Sequence, residues 1–225
     1  MIELLDLLIP SINETLYMVF ISTVFTVILG LPLGILLVIT REDSVLPNSN
    51  IYNSLSILIN ITRSIPFVIL MIFIIPFTRL VVGSSIGTNA AIVPLVVAAI
   101  PFFARLVEGS ILEVNPGVIE AGVSMGASPL EIVLKILIPE AMPSLIHSFT
   151  ITVISIIGYS AMAGAIGGGG LGDLALRYGY QRFKTDIMIM AVVVIIIIVE
   201  LIQIFGDTIV KKIKNISTLN HKTYG

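Results

Sequence analysis

Apolar runs of about 20 residues alternate with short polar clusters along the chain, a length that crosses a bilayer as a helix. The first runs from about Tyr17 to Ile39 without a charge and would be about 34 Å long as a helix. Its small and hydroxyl residues, Ser22, Thr23, Thr26, Gly30 and Gly34, suit close contact with other helices. A polar link, Thr40 to Asn53, contains Arg41-Glu42-Asp43 and the turn-forming Pro47-Asn48-Ser49-Asn50. The second run covers roughly Leu55 to Pro76, with a kink expected at Pro66. After a polar corner from Thr78 to Asn89, a third run extends from Ala90 to about Val107, through Pro94 and Pro101. A fourth lies near Leu145 to Ile166, and the fifth and most apolar near Ile187 to Ile209. The pattern predicts an all-α polytopic membrane protein of about five transmembrane helices. Three divisions follow: an extracytoplasmic N-terminal segment (1–12), a transmembrane domain (13–208) and a basic cytoplasmic tail (209–225).

Composition agrees. Hydrophobic residues make up 56% of the 225, charged residues 12%, and mean hydropathy is +1.10. A soluble domain carries about twice that charge. Cysteine is absent, which removes disulfides and Cys-based metal sites. No basic cluster is interleaved with aromatics, so nucleic-acid binding has no support. The first segment carries Glu3, Asp6 and Glu14 but no Lys or Arg, so no cleaved signal peptide is expected. Basic residues set the expected orientation. With the N-terminus outside, Arg41, Arg63, Arg105, Lys135, Lys211, Lys212, Lys214 and Lys222 face inward, and Arg79, Arg177, Arg182 and Lys184 outward. That is eight of the 12 basic residues inside, which favours N-out and C-in. Five spans do not divide into two inverted halves, which weighs against a secondary transporter.

The stretch from Arg105 to Pro143 is too polar to span but rich in helix signals. Asn115-Pro116 reads as an N-cap followed by Pro at the first helical position. The helix it starts stops at Gly126. Ser128-Pro129-Leu130-Glu131 is a second start, with the spacing of a capping box, and its helix is expected to end at about Ile138, before Pro139. The reading is two short capped helices at a glycine corner, the kind of stiff loop that could transmit force.

Glu120-Ala121-Gly122, then Gly126, then Ile136 and Ile138-Pro139, resembles the EAA loop of bacterial ABC importer permeases. That pattern is Glu-Ala-Ala, three residues, Gly, nine residues, Ile, one residue, Leu-Pro. Gly122 stands for Ala and Ile138 for Leu, and the spacing is intact. The resemblance implies a cytoplasmic coupling loop between helices 3 and 4, in which Glu120 and its neighbours contact an ATPase and Gly126 sets the corner. Further stretches are similar to the methionine-importer branch, among them Arg63-Ser64-Ile65-Pro66-Phe67, Ile75-Pro76-Phe77-Thr78-Arg79 and Gly158-Tyr159-Ser160-Ala161-Met162. This likeness covers roughly residues 13 to 208. It implies a methionine permease of the bacterial cytoplasmic membrane, working as two copies with two ATPase subunits and an extracytoplasmic methionine-binding protein. A permease for another small amino acid or a betaine is the nearest alternative.

The fourth run is rich in small residues, Gly158, Ser160, Ala161, Ala163, Gly164 and Ala165. Tyr159, Ser160 and Met162 are the candidates to line or gate a passage, against plain helix packing as the alternative. The glycine run 167–170 is no phosphate loop, because Gly172 is followed by Asp173 rather than Lys. No cofactor is implied, and energy would come from a partner. Arg63 is expected near the inner boundary with its side chain snorkelling. Glu200 is the best intramembrane carboxylate and by default a functional-site candidate, with pairing to a neighbouring helix or a place near the bundle interior as the preferred reading. An intramembrane Ser–His enzyme is disfavoured, since His147 lies about 20 Å from Ser160 along one helix.

Overall fold

The computed structural model describes residues 2–223, with side chains described over 6–215. His221 and Lys222 therefore lie outside the described side chains. Among the described residues all regular structure is helical. The helices are α1 (Ile2–Ile39), α2 (Ser49–Ser64), α3 (Phe67–Phe73), α4 (Ile75–Val82), α5 (Thr88–Leu112), α6 (Pro116–Ser124), α7 (Pro129–Glu131), α8 (Ile138–Ala163), α9 (Gly170–Leu174) and α10 (Thr185–Thr223). Four helices are long and apolar enough to cross a membrane, and the bent pair α2–α3 brings the number to five.

The break in the second span is where Pro66 demanded it. The residue before a proline avoids helical backbone, and Ile65 is extended at φ −82, ψ 122. The two pieces meet at 102°. Pro94 and Pro101, by contrast, are carried inside an unbroken α5.

Helix α5 is the centre of the bundle, with α1 along one side and α8 on another; α10 packs on α8. The α1–α5 approach depends on Gly34. A Cβ there would sit 2.6 Å from the Val107 Cβ and 2.7 Å from the Ala104 carbonyl. The middle core joins Met18, Phe67, Leu95, Val153, Ile156 and Ile157. Buried pairing of the Ser110 and Ser148 hydroxyls at 2.8 Å fastens α5 to α8.

Two ends of the bundle can be distinguished: one bears α6 and α7, the other the glycine run. At the glycine end, a wide π turn at Gly164–Gly168 loses helical backbone at Ile166 and Gly167. The chain then turns back through α9 and a second π segment, Ala175–Tyr180. A Cβ on Gly172 would overlap the backbone of Ala161, so only glycine lets α9 lie against α8. This hairpin was not visible in the hydropathy pattern.

Two helices run on past the ends of their apolar runs, and one helix end differs from the sequence expectation. Helix α1 runs through 12 and 13 without interruption. The polar residues that ended the apolar run there are satisfied: the Glu14 carboxylate accepts from Gly170 N–H at 2.7 Å, and Thr15 Oγ1 from Leu171 N–H at 2.9 Å. Helix α10 likewise runs through 208 and 209, with Thr208 and Gln203 bonding within the helix. The helix begun at Ser128 does not end before Pro139. It passes through a π segment, Ile132–Leu137, directly into α8. Ile138 N–H reaches back to Val133 C=O, five residues away. That wider turn makes room for the proline ring, which would clash with the carbonyl four residues back in a regular helix.

Candidate functional site

The loop between α5 and α8 is built from local signals. Asn115 Oδ1 accepts from Gly117 N–H at 2.9 Å and starts α6. The helix stops in a Schellman turn: Ala127 N–H donates to Gly122 C=O at 3.1 Å and Gly126 N–H to Val123 C=O at 2.9 Å. Gly126 is left-handed at φ +79, a backbone that costs other L-residues about 1–2 kcal/mol. Ser128 and Glu131 form a reciprocal capping box, and Lys135 Nζ joins Glu131 at 2.8 Å.

Gly122, where the resembled pattern has Ala, is buried against the second half of the loop, and a Cβ there would overlap Ile136 Cδ1. The missing methyl is thus replaced in space by Ile136, which joins the two helices. Ile119, Ala127, Ile136 and Ile138 pack on a cluster with Val107, Ile111, Ile132, Val133 and Leu137. The loop is bonded to the bundle, not hung from it. The Ser144 hydroxyl, which donates to Glu113, ties the ends of α5 and α8 together.

The outward surface of the loop is mixed. Glu120, Ala121 and Pro139 are exposed, and so are large apolar side chains: Met125 at 81%, Leu130 at 66%. Glu120 also borders an open cleft of about 710 Å³, shared with Arg41 and Asp43 of the α1–α2 link. A solvent-facing patch of this kind, on a rigid base, is the property of a protein-docking surface.

Helix α2 is fastened to α5 beside this surface. Arg105 bonds Glu108 at 2.5 Å, the Ser56 hydroxyl at 2.5 Å and Asn60 Oδ1 at 2.9 Å. Tyr52 Oη donates to the second Glu108 oxygen at 3.2 Å. Glu108 is only 4% exposed, so this charge is held by its partners. Sequence reasoning missed the cluster because its partners are some 50 residues apart.

Of the three path candidates, Tyr159 and Met162 share a face, being three residues apart on a helix. Met162 is 46% exposed, and the Tyr159 ring stacks on Phe67 with centroids 4.8 Å apart and planes at 13°. Ser160 is turned about 100° inward. It is buried, with its hydroxyl on Ile157 C=O at 2.8 Å. The expectation for Glu200 is not met within the chain. It is exposed on α10 among Ile196, Ile197 and Ile204, with no bonded partner among the described residues.

The described residues thus form four spans, or five with the bent pair counted, with a short capped loop packed across one end. Comparisons with known proteins say which family has this arrangement. Residues 30–215 match the family model described as binding-protein-dependent transport system inner membrane component, and the chain belongs to that family. A probable D-methionine transport system permease protein MetI of Vibrio cholerae is 50% identical over 208 residues, 92% of each chain. The D-methionine transport system permease protein MetI of Escherichia coli K12 is 52% identical over 158 residues, 70% of this chain and 73% of that one. A solved chain described as an inward-facing conformation of the MetNI methionine ABC transporter superposes with a TM-score of 0.92 at 48% identity. It covers 94% of this chain and 98% of its own. An amino acid ABC transporter solved with histidines shares the fold at a TM-score of 0.77 and 18% identity, covering 94% and 96%.

Proposed function

We propose that this chain is the permease subunit of an ATP-driven importer that carries methionine across the bacterial cytoplasmic membrane. Two copies would enclose the path, two ATPase subunits would dock on the α6–α7 loops, and an extracytoplasmic binding protein would deliver the substrate. The loop end faces the cytoplasm and the glycine end faces outward, as the basic-residue count favours. The chain hydrolyses nothing itself; ATP is consumed by the partner.

One observation carries the reading: the second helix of the docking loop and the fourth span are a single helical rod. From Pro129 to Met162 the chain climbs about 50 Å at helical rise, with no break before the turn at Gly164. The coupling residues Glu120, Ala121, Gly122, Gly126, Ile136, Ile138 and Pro139 lie at or beside its base. A displacement imposed there by the ATPase tilts the rod and moves Tyr159 and Met162 at its far end. Ser160 lies on the rod's buried inner face, while Tyr159 and Met162 meet the passage.

The test is uptake by lipid vesicles holding the permease, its ATPase and the binding protein. Methionine should accumulate only with ATP inside the ATPase compartment. Accumulation driven by a proton gradient with ATP depleted would favour a secondary transporter and sink the proposal. Uptake of another small amino acid or a betaine, in place of methionine, would keep the machine but change its cargo.

A further inference from the structure

The broken second span leaves one cation without an anion. Arg63 lies in the last turn of α2. Among the described residues its guanidinium makes no hydrogen bond or ion pair, and it lies 6.0 Å from the centre of the Phe102 ring. Arg105 and Arg177 are each held by a carboxylate. Arg63 is exposed on the single chain and lies within the bent candidate span, well away from the α1–α2 link. Fourteen residues separate it from the start of α2 at Ser49, about 21 Å. Phe102 stands ten residues before the end of α5, about 15 Å. An ionised side chain within a span is costly unless it has a partner or a watery path, and marks a functional site by default.

Arg63 borders a cavity of about 240 Å³ whose other walls include Phe67, Leu70, Ala98, Phe102 and Tyr159. The cation lies at one wall, and the stacked rings of Phe67 and Tyr159 with Leu70 and Ala98 make apolar walls. The cavity is smaller than the ~300–1,000 Å³ sites of drug-sized ligands, which suits a free amino acid better than a peptide or sugar. The end of α2 adds backbone carbonyls that have no following turn to accept from, a natural place for an ammonium.

We infer that this cavity is a transit site for the amino-acid substrate: Arg63 takes the α-carboxylate, and the aromatic and aliphatic walls take the unbranched side chain. A thioether gains from contact with ring edges, as Phe67, Tyr159 and Phe102 would provide. The site rests on the methionine-permease reading above and adds to it the residues that touch cargo between delivery and release. It lies where the broken span meets the rod bearing Tyr159, so tilting the rod changes the cavity's wall.

The experiment uses the permease–ATPase complex in nanodiscs and a diazirine analogue of methionine with intact carboxylate and ammonium. After irradiation, adducts should map to peptides containing Phe67, Phe102 or Tyr159. Methionine should compete at least tenfold better than methioninol, which lacks the carboxylate. In Arg63→Gln the adducts should fall at least tenfold and the two competitors become equivalent; Arg63→Lys should restore the preference. If Arg63→Gln does not assemble, Ala98→Leu fills the cavity with Arg63 in place and should abolish the same adducts. Adducts confined to other peptides, or unchanged in both variants, overturn the site. Such a result with vesicle uptake of methionine intact defeats the cavity alone, whereas absent uptake in the wild type defeats the permease reading itself.

Discussion

Replacing Gly126 tests the docking corner without disturbing anything around it. A Cβ added there meets no atom within 4 Å, so crowding plays no part. The whole cost comes from φ +79. For Ala that is about 1–2 kcal/mol. Asn tolerates left-handed backbone and should cost less, and β-branched Val should cost more. If the corner must be formed for the ATPase to dock, Gly126→Ala should lower the docked population by ~5–30-fold. The predicted order of docking is Gly, Asn, Ala, Val, an order set by backbone and not by side-chain size or polarity. The assay is a titration of the ATPase onto the permease in nanodiscs, with methionine-stimulated ATP hydrolysis as a second readout. Overall thermal stability should change little, because the strain is confined to the loop. Equal docking by the Gly and Ala forms, or Val no worse than Ala, would refute the claim that a left-handed corner shapes the surface.

Other perturbations probe the supports of that surface. Arg105→Ala leaves Glu108 buried without its cation and should cost about 3–5 kcal/mol, while Arg105→Met with Glu108→Met should recover most of it; thermal unfolding of the purified protein distinguishes the two. Gly34→Val drives a side chain into Val107 and the Ala104 carbonyl, an overpacking of about 1–3 kcal/mol or more. Gly109→Ala, where a Cβ meets nothing within 4 Å, should be neutral or stabilising by up to about 1 kcal/mol. Ser128→Ala removes the cap at the base of the rod at a cost of about 0.5–2 kcal/mol. Hydrogen exchange should speed up at the amides of Leu130, Glu131 and Ile132 and not in α5.

What the sequence revealed was what short-range chemistry decides. Asn115, Gly126, and the Ser128–Glu131 pair act within a few residues of themselves, and each cap was found where its residue type placed it. Pro66 broke the second span for the same local reason. The failures have a different scale. Pro139 was read as a stop, but six residues of π helix absorb it, and that choice is made by the packing of Ile132, Val133 and Leu137 on α5. The bend through Gly164–Gly170 is held by Glu14 and Thr15, 156 residues away in the chain. No periodicity in either stretch announces the other. Arg63 shows a third kind of limit: its residue type says nothing of its neighbours, and only the geometry of the break puts it beside Tyr159 and Phe102. Ser160 was grouped with its neighbours by composition, though one helical step turns it into the core.

The account depends on the α6–α7 loop being a cytoplasmic dock for the ATPase. Met125→Cys offers a direct measurement, since position 125 is 81% exposed and the chain has no cysteine of its own. A membrane-impermeant maleimide should label it in inside-out vesicles, fail to label it in right-side-out vesicles, and lose access when the ATPase is bound. Labelling from the outer face, or labelling that the ATPase leaves untouched, would contradict it.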